Sequence, residues 1–297
     1  MTTTDHELEA LLDRIPVLQG LPRTVIELPG GLTNQNLHVS TPTHDLVVRR
    51  FRGDAELLGI DRDAEHANTR AAAEAGVGAP VVDYRPDLGV LVIGYVEGVT
   101  LHNDDFSRDG IVPRVAAGIR QLHEGPRFVN EFDMFERQPR YRATCRDHGY
   151  RMPDDYDDFA REFEDIHVAL AVRDEGTVPC NNDLLAENFI DDVDRMWLID
   201  YEYSGNNDPA FELGNTATEC DLTREQIDEL VDGWTAEDPG FRARVDLQSL
   251  CSEYGWALWG FIQSATSPID YDFHGWGMER YEKAVRRFTG EDRKSVV

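Results

Sequence analysis

Apolar residues in the first third of the chain recur in short runs separated by turn residues, a pattern typical of β-strands. Strands are predicted at 25–28, 36–40, 46–51, 81–84 and 90–93. One helix is predicted among them, at 62–75, where Gly76 and Gly78 end it. A further short helix at 5–15 is predicted before the strands, because its leucines recur at helical spacing.

The apolar positions of the remaining chain follow a helical period. Helices are predicted at 113–123, 155–172, 223–234, 245–266 and 271–288. A β-rich first third followed by an α-rich remainder predicts a two-lobed α+β protein. The boundary is expected near residues 95–98, which gives an N-terminal lobe of residues 1–97 and a helical C-terminal lobe of residues 98–297.

A predicted hairpin interrupts the helices, with strands at 189–190 and 196–199, and polar side chains flank it. Asp183 and Asn188 precede the hairpin, and Asp200 ends it. An Asp, an Asn five residues later and an Asp after the next apolar run have the spacing of a kinase catalytic loop and its metal-binding Asp. The hypothesis is that Asp183 accepts the proton of an attacking hydroxyl, while Asn188 and Asp200 are catalytic residues that hold Mg²⁺.

Two alternatives to this hypothesis follow from the same residues. Asn and Asp are common in turns, where they bond to their own backbone. A kinase catalytic loop also carries His two residues before the first Asp, and this chain has Asn181 there. Asn can donate and accept hydrogen bonds, so it can take over a supporting role. A nucleotide-binding pseudokinase with a regulatory role is therefore the alternative outside the enzyme class.

Composition narrows the class of protein. The 297 residues, 41% of them hydrophobic, suffice for a large core. No apolar run approaches the roughly 20 residues of a membrane span. The first residues, 1–7, lack the basic and apolar regions of a signal peptide, so a cytoplasmic protein without a membrane partner is expected. Four scattered cysteines without a C-x-x-C pair favour reduced thiols over a zinc site or disulfides.

The net charge of −28 results from 57 acidic residues against 29 Lys and Arg. Nucleic-acid binding is disfavoured, because no basic face is available to neutralise phosphates. The acidic residues are spread along the chain, and no Lys occurs before Lys283. This pattern favours adaptation to molar salt, where self-repulsion is screened. An ordinary acidic cytosolic protein is the alternative.

With these residues in view, the chain resembles the choline/ethanolamine kinase family, which belongs with the aminoglycoside phosphotransferases and has a protein-kinase-like fold. The resemblance covers roughly residues 25–285. It is carried by segments 30–36, 47–49, 60–68, 180–190, 199–203 and 208–213. It implies a phosphotransferase that uses ATP and Mg²⁺ and acts on an alcohol group; GTP stays open as the nucleotide.

The resemblance also implies a nucleotide site. Its phosphate-side loop would contain Gly31, Thr33, Asn34 and Asn36, where a Gly-Gly turn lets backbone N–H groups approach a phosphate. A simple hairpin turn is the alternative for this loop. Segment 93–97, with Ile93 and Tyr95, would bind adenine through backbone groups.

Arg49 is expected to be the cation on the third strand. Strand alternation allows only one of Arg49 and Arg50 to enter the cleft. The resemblance selects Arg49, with Glu65 as its partner, and an Arg fork can bind phosphate oxygens in bidentate fashion. A solvated helix position is the alternative for Glu65.

The acceptor site is expected in the C-terminal helices. Trp256 and Trp259 are three residues apart on a predicted helix, so they share a face. The resemblance implies that they hold a cationic nitrogen together with Glu219, and Tyr271 lies near in sequence. A small cationic alcohol is therefore expected, choline or ethanolamine; thiamine, a sugar and an aminoglycoside are alternatives. Core packing is the alternative for the two tryptophans.

The charge analysis predicts a salt-dependent fold. The Debye length falls from about 10 Å at 0.1 M salt to about 3 Å at 1 M, so repulsion among the surplus carboxylates weakens. The thermal midpoint should therefore rise between low salt and about 2 M potassium chloride, as measured by circular dichroism. A midpoint that stays flat or falls over this range would refute salt adaptation.

Overall fold

The structure is a computed structural model that describes residues 3–52, 55–173, 176–235 and 238–290. The strands are β1 Thr24–Leu28, β2 Asn34–Ser40, β3 Asp45–Phe51, β4 Val81–Arg85, β5 Val90–Gly94, β6 Val99–Thr100, β7 Val178–Cys180, β8 Phe189–Asp191, β9 Met196–Leu198 and β10 Gly205–Asn207. The helices are α1 Thr3–Leu12, α2 Ala55–Leu58, α3 Arg62–Glu74, α4 Ile111–His123, α5 Met134–His148, α6 Ala160–Leu170, α7 Pro209–Glu219, α8 Arg224–Trp234, α9 Pro239–Thr266 and α10 Phe273–Phe288.

The N-terminal part contains an antiparallel sheet with strand order β1-β2-β3-β5-β4. One of its faces buries Val39 and Val48 against an apolar cluster that includes Leu12 and Ile15. On the other face, Arg49 pairs in register with Leu91 of β5. Alternation therefore turns Arg49 into the cleft, whereas Arg50 bonds to Gln35.

The C-terminal part is mainly helical and is built around α9, which α7 and α10 contact closely. Gly260 of α9 faces Gly277 of α10, and a Cβ at Gly260 would lie 2.9 Å from the Cα of Gly277. This close approach of the two helices lets Trp259 and Trp276 meet, with ring centroids 5.2 Å apart. The glycine pair thus shapes the surface on which the acceptor site was predicted.

The two-part α+β fold is confirmed, and the strand predictions agree with the observed bounds to within two residues. The sequence analysis missed α5, which contains Pro139 and few apolar residues and is stabilised by packing on α9. The predicted helix at 155–172 begins as a 3₁₀ turn, Tyr156–Phe159, before α6. Helix α9 begins at Pro239, six residues earlier than predicted, where Asp238 caps a helix with Pro at its first turn.

Within the described ranges, no helix combines the length and hydropathy that a bilayer crossing requires. The four cysteines, Cys145, Cys180, Cys220 and Cys251, are free and buried.

Candidate active site

A buried carboxylate of α7 holds the loop that follows β7. Both oxygens of Glu212 accept backbone N–H groups, from Asn181 at 2.7 Å and Asn182 at 2.6 Å. Asn182 adopts a left-handed φ of 69°, which non-glycine residues rarely take, and its side-chain amide donates to the carbonyls of Cys180 and Tyr203. The surrounding bonds therefore impose a strained backbone at this point, as is common at functional sites.

Asn181 connects this loop to Asp200. Its Nδ2 donates to the carbonyls of Ile199 at 3.0 Å and Asp200 at 2.9 Å, and its Oδ1 accepts the N–H of Asp183. Asp200 itself has a φ of 65°. Asn181 thus makes the supporting contacts that the sequence analysis considered possible for an Asn in place of His.

The three predicted catalytic residues belong to segments that are bonded to one another, since the Ile199 N–H, next to Asp200, donates to the carbonyl of Asn188 at 3.0 Å. Asn188 donates from Nδ2 to the carbonyl of Asp183 at 2.7 Å, which leaves its Oδ1 for another partner. The Asp183 carboxylate accepts no hydrogen bond from the residues that the structure describes. Burial, followed by the charges of Glu219, Asp200 and Glu202, raises the pKa of Asp183 well above its usual range.

On the sheet side, two arginines meet three carboxylates. Arg49 lies 2.7 Å from Asp200, 3.5 Å from Glu65 and 3.8 Å from Glu202, as measured between Nη2 and carboxylate oxygens. Arg62 lies closer to Glu65, at 2.7 Å, and 3.2 Å from Glu202. The expected Arg49–Glu65 pair is therefore present, but Arg62 is the nearer partner of Glu65. Burial raises the pKa of Glu202 to about 7, and the charge of Asp200 adds to this effect.

The Gly-Gly turn closes over Glu202. Thr33 donates to its Oε1 at 2.6 Å, and Asn34 donates to its Oε2 at 2.8 Å. A Cβ at Gly31 would lie 2.2 Å from the carbonyl oxygen of Asn34, so this position requires glycine. The Oδ1 of Asn36 is buried without a partner among the described residues. Two of the predicted loop side chains thus anchor the loop, and its backbone remains available to a ligand.

A narrow cavity lies between the sheet and β9. Its lining is mostly apolar, and Arg49 and Asp200 lie at its polar end. The apolar lining includes Ala79, Leu91, Ile93, Leu198 and Ile199. At the adjacent segment, the Tyr95 N–H donates to Asp45 O and its ring stacks on His38 at 3.8 Å. The Val96 N–H has no backbone partner within the described part of the chain.

The two predicted acceptor tryptophans lie in one buried aromatic cluster. Trp256 is 3% exposed and contacts Tyr203, with ring centroids 4.9 Å apart. Trp259 is 7% exposed, and its Nε1 donates to the Tyr203 hydroxyl at 2.7 Å. Tyr271 is 46% exposed and contacts Phe273, which packs against Trp259. Tyr203, Trp256, Trp259, Phe273 and Trp276 are called the aromatic wall below.

Glu219 ends α7 beside this wall and is paired with Arg280 of α10. Sequence reasoning missed Arg280 and Trp276, although their spacing of four residues places them on one helix face. It also missed the anchoring roles of Glu202, Arg62 and Glu212. Glu202 was visible only as part of segment 199–203, and no local signal pairs it with the glycine turn.

His123, Cys180 and Glu212 lie behind the catalytic loop with their ligand atoms within 4.8 Å of one another. Each group already has a partner: His123 Nδ1 accepts from Trp234 Nε1 at 2.9 Å, and Glu212 binds two amides. These contacts indicate that the three residues support the loop that follows β7.

Comparisons with known proteins identify the family of the chain. The model of the choline/ethanolamine kinase family matches residues 25–228. Protein LicA of Haemophilus influenzae is 27% identical over 272 residues, which cover 86% of this chain and 98% of the relative. Ethanolamine kinase 2 of Mus musculus is 28% identical, with 85% of this chain and 73% of the relative covered.

Solved structures extend the comparison to the fold. The crystal structure of a choline/ethanolamine kinase family protein from Mesorhizobium loti has a TM-score of 0.83 and 32% identity, covering 95% of this chain and 94% of that one. Aminoglycoside 2′-phosphotransferase-IIIa shares the fold, with a TM-score of 0.66, 14% identity and coverage of 95% and 98%.

The fold and the family match define a kinase-like phosphotransferase that acts on an alcohol group. Within it, the chain belongs to the choline/ethanolamine kinase family, whose members transfer a phosphoryl group to an alcohol hydroxyl.

The catalytic loop should depend on Glu212. In Glu212→Gln, one oxygen becomes an NH₂ group facing a backbone N–H, so a buried bond is lost. The free energy of unfolding should fall by about 2 kcal/mol, as measured by urea titration. Glu187→Gln, an exposed carboxylate on the same loop, is the control and should change it by less than about 0.5 kcal/mol. Equal effects in both variants would contradict this role of Glu212.

Proposed function

We propose that this protein is an ATP- and Mg²⁺-dependent kinase that phosphorylates the hydroxyl of a small cationic amino alcohol, choline or ethanolamine. The observation that carries the proposal is the position of the Asp183 carboxylate. It accepts no hydrogen bond from the described residues, the carbonyl of the same residue is held by Asn188 Nδ2 at 2.7 Å, and the charges of Glu219 and Asp200 act on it.

The cavity between the sheet and β9 supports a nucleotide site. The cavity, at about 10 Å³, is too small for a base as it stands, but its lining is apolar, and the Val96 N–H is available for the edge of a base once the lining moves apart. Arg49, at the polar end, is suited to neutralise phosphate oxygens. Its bonds to Asp200 and Glu65 hold the guanidinium in place, so little reorganisation is needed when a nucleotide binds.

The oxygen atoms available at the cleft fit a magnesium ion. Asn188 keeps its Oδ1 free because its amide nitrogen bonds to Asp183 O, and Asp200 keeps Oδ2 because Arg49 contacts Oδ1. Amide and carboxylate oxygens are the ligands that Mg²⁺ prefers. When bound, the ion would neutralise phosphate charge during transfer.

Asp183 would orient the acceptor hydroxyl and take its proton. Its raised pKa, caused mainly by burial, makes its carboxylate form a stronger base than an ordinary carboxylate. The aromatic wall would receive the cationic end of the acceptor, since aromatic faces attract a desolvated cation. Positioning and charge stabilisation would supply most of the rate enhancement.

The proposal is tested by ADP production in molar potassium chloride with magnesium and ATP. The acceptor panel contains choline, ethanolamine, thiamine, a sugar, an aminoglycoside and 3,3-dimethylbutan-1-ol, which has the shape of choline without its charge. Choline or ethanolamine should give the highest kcat/KM, and the uncharged alcohol should be at least about tenfold poorer. Nucleotide binding without ADP production from any alcohol would identify a pseudokinase. Preference for the sugar would reject the cationic acceptor.

Asp183→Asn should remove the base while keeping the size of the side chain. We expect kcat to fall by about 10² to 10⁴-fold and the Kd of Mg-ATP to change less than about tenfold, because the base contacts the acceptor. Fixed-time ADP assays measure kcat, and isothermal titration calorimetry measures the Kd of Mg-ATP. Asp194→Asn, in the exposed hairpin turn, should keep wild-type values. Near wild-type kcat in Asp183→Asn would show that the base has been misassigned.

A further inference from the structure

Glu219, the acid expected to attract the acceptor's cation, is already bound by an arginine of the same chain. Arg280 donates from Nε to Oε1 at 3.1 Å and from Nη2 to Oε2. Only 4% of the Glu219 side chain and 13% of the Arg280 side chain are exposed. A planar guanidinium fork in this geometry occupies both carboxylate oxygens at once.

Arg280 is also held by the aromatic wall. Its guanidinium carbon lies 3.5 Å from the ring centroid of Trp276, and Trp276 contacts Trp259 at 5.2 Å. The aromatic wall therefore already contains a cation–π contact, between Arg280 and Trp276, next to the site proposed for the acceptor. The two contacts fix Arg280 between α7 and α10, so it forms a permanent part of the wall.

The pair changes the charge that an acceptor meets. Glu219 and Arg280 cancel each other, and both act on Asp183, whose pKa the first raises and the second lowers. What remains for a cationic acceptor is the diffuse negative charge of Asp183 and the faces of aromatic rings. With both oxygens bonded to Arg280 and only 4% of the side chain exposed, little of the Glu219 carboxylate is left to accept a hydrogen bond from an acceptor.

We propose that Arg280 determines acceptor specificity: by covering Glu219, it favours a quaternary ammonium head group, which donates no hydrogen bonds, over a primary ammonium. The inference rests on the proposed function and narrows its acceptor class. A primary ammonium that enters the site loses the hydrogen bonds that its N–H groups made to water, and the covered carboxylate does not replace them. A quaternary ammonium has no donor to leave unsatisfied and is attracted by aromatic faces.

The test compares kcat/KM for choline and ethanolamine in the wild type and in Arg280→Met, which keeps an apolar stem on Trp276 and uncovers Glu219. The wild type should prefer choline by about tenfold or more. The variant should shift the choline-to-ethanolamine ratio towards ethanolamine by about tenfold or more, with the KM for ATP unchanged. Arg280→Lys, whose single ammonium cannot cover both oxygens, should shift the ratio in the same direction by less. Arg286→Met, exposed on the same helix, should leave the ratio unchanged.

Several results would overturn the inference. One is a wild type that prefers ethanolamine. Another is a parallel loss of both activities in Arg280→Met and Arg280→Lys with an unmoved ratio, since that indicates a purely structural role. If a thermal melt shows that Arg280→Met does not fold, the choline-to-ethanolamine ratio of Arg280→Lys tests the inference instead. A wild type that turns over neither amino alcohol rejects the proposed function and this inference together, whereas activity on both with an unmoved ratio rejects this inference alone.

Discussion

The site depends on a carboxylate that is removed from water and holds two backbone amides. Glu212 fixes the start of the catalytic loop, and Asn181 then ties that loop to Asp200. An unpaired carboxylate at this depth would be costly, so the two bonds and the burial of Glu212 depend on each other. Because the loop is fixed from behind, the Asp183 side chain in front of it needs no partner of its own, and it is free to act on a ligand.

Charge balance governs the nucleotide side of the cleft. Arg49 and Arg62 face Glu65, Asp200 and Glu202, so the group carries one more negative than positive charge when all are ionised. Burial is the main cause of the rise in the pKa of Glu202 to about 7, and the charge of Asp200 adds to it. The glycine turn is tied to the same carboxylate by Thr33 and Asn34, so the position of the loop and the charge of the cleft are physically linked.

The region around the aromatic wall is organised differently, since Glu219 and the Tyr203 hydroxyl are paired within the protein and aromatic rings surround them. Arg280 covers Glu219, and the Tyr203 hydroxyl accepts from Trp259. In the function proposed above, an acceptor would be met mainly by ring faces and by the charge of Asp183. The close contact of Gly260 and Gly277 brings α9 and α10 together and so permits this arrangement of rings.

The sequence by itself determined the α+β division and the strands of the five-stranded sheet, because alternation is a local property. Loop spacing, also local, predicted Asp183, Asn188 and Asp200 as catalytic residues. It also limited the cleft cation to one of two adjacent arginines. It missed α5, whose few apolar residues gain stability only on α9.

Only the tertiary structure decided which charges meet. Arg62 of α3 joins Glu202, Glu202 accepts the glycine turn, and Arg280 covers Glu219, a residue 61 positions away in the chain. No local pattern encodes such pairings, since each depends on how separate elements pack and on which carboxylates are thereby removed from water. The sequence therefore determined the chemistry available to the site, and packing determined which groups remain free to use it.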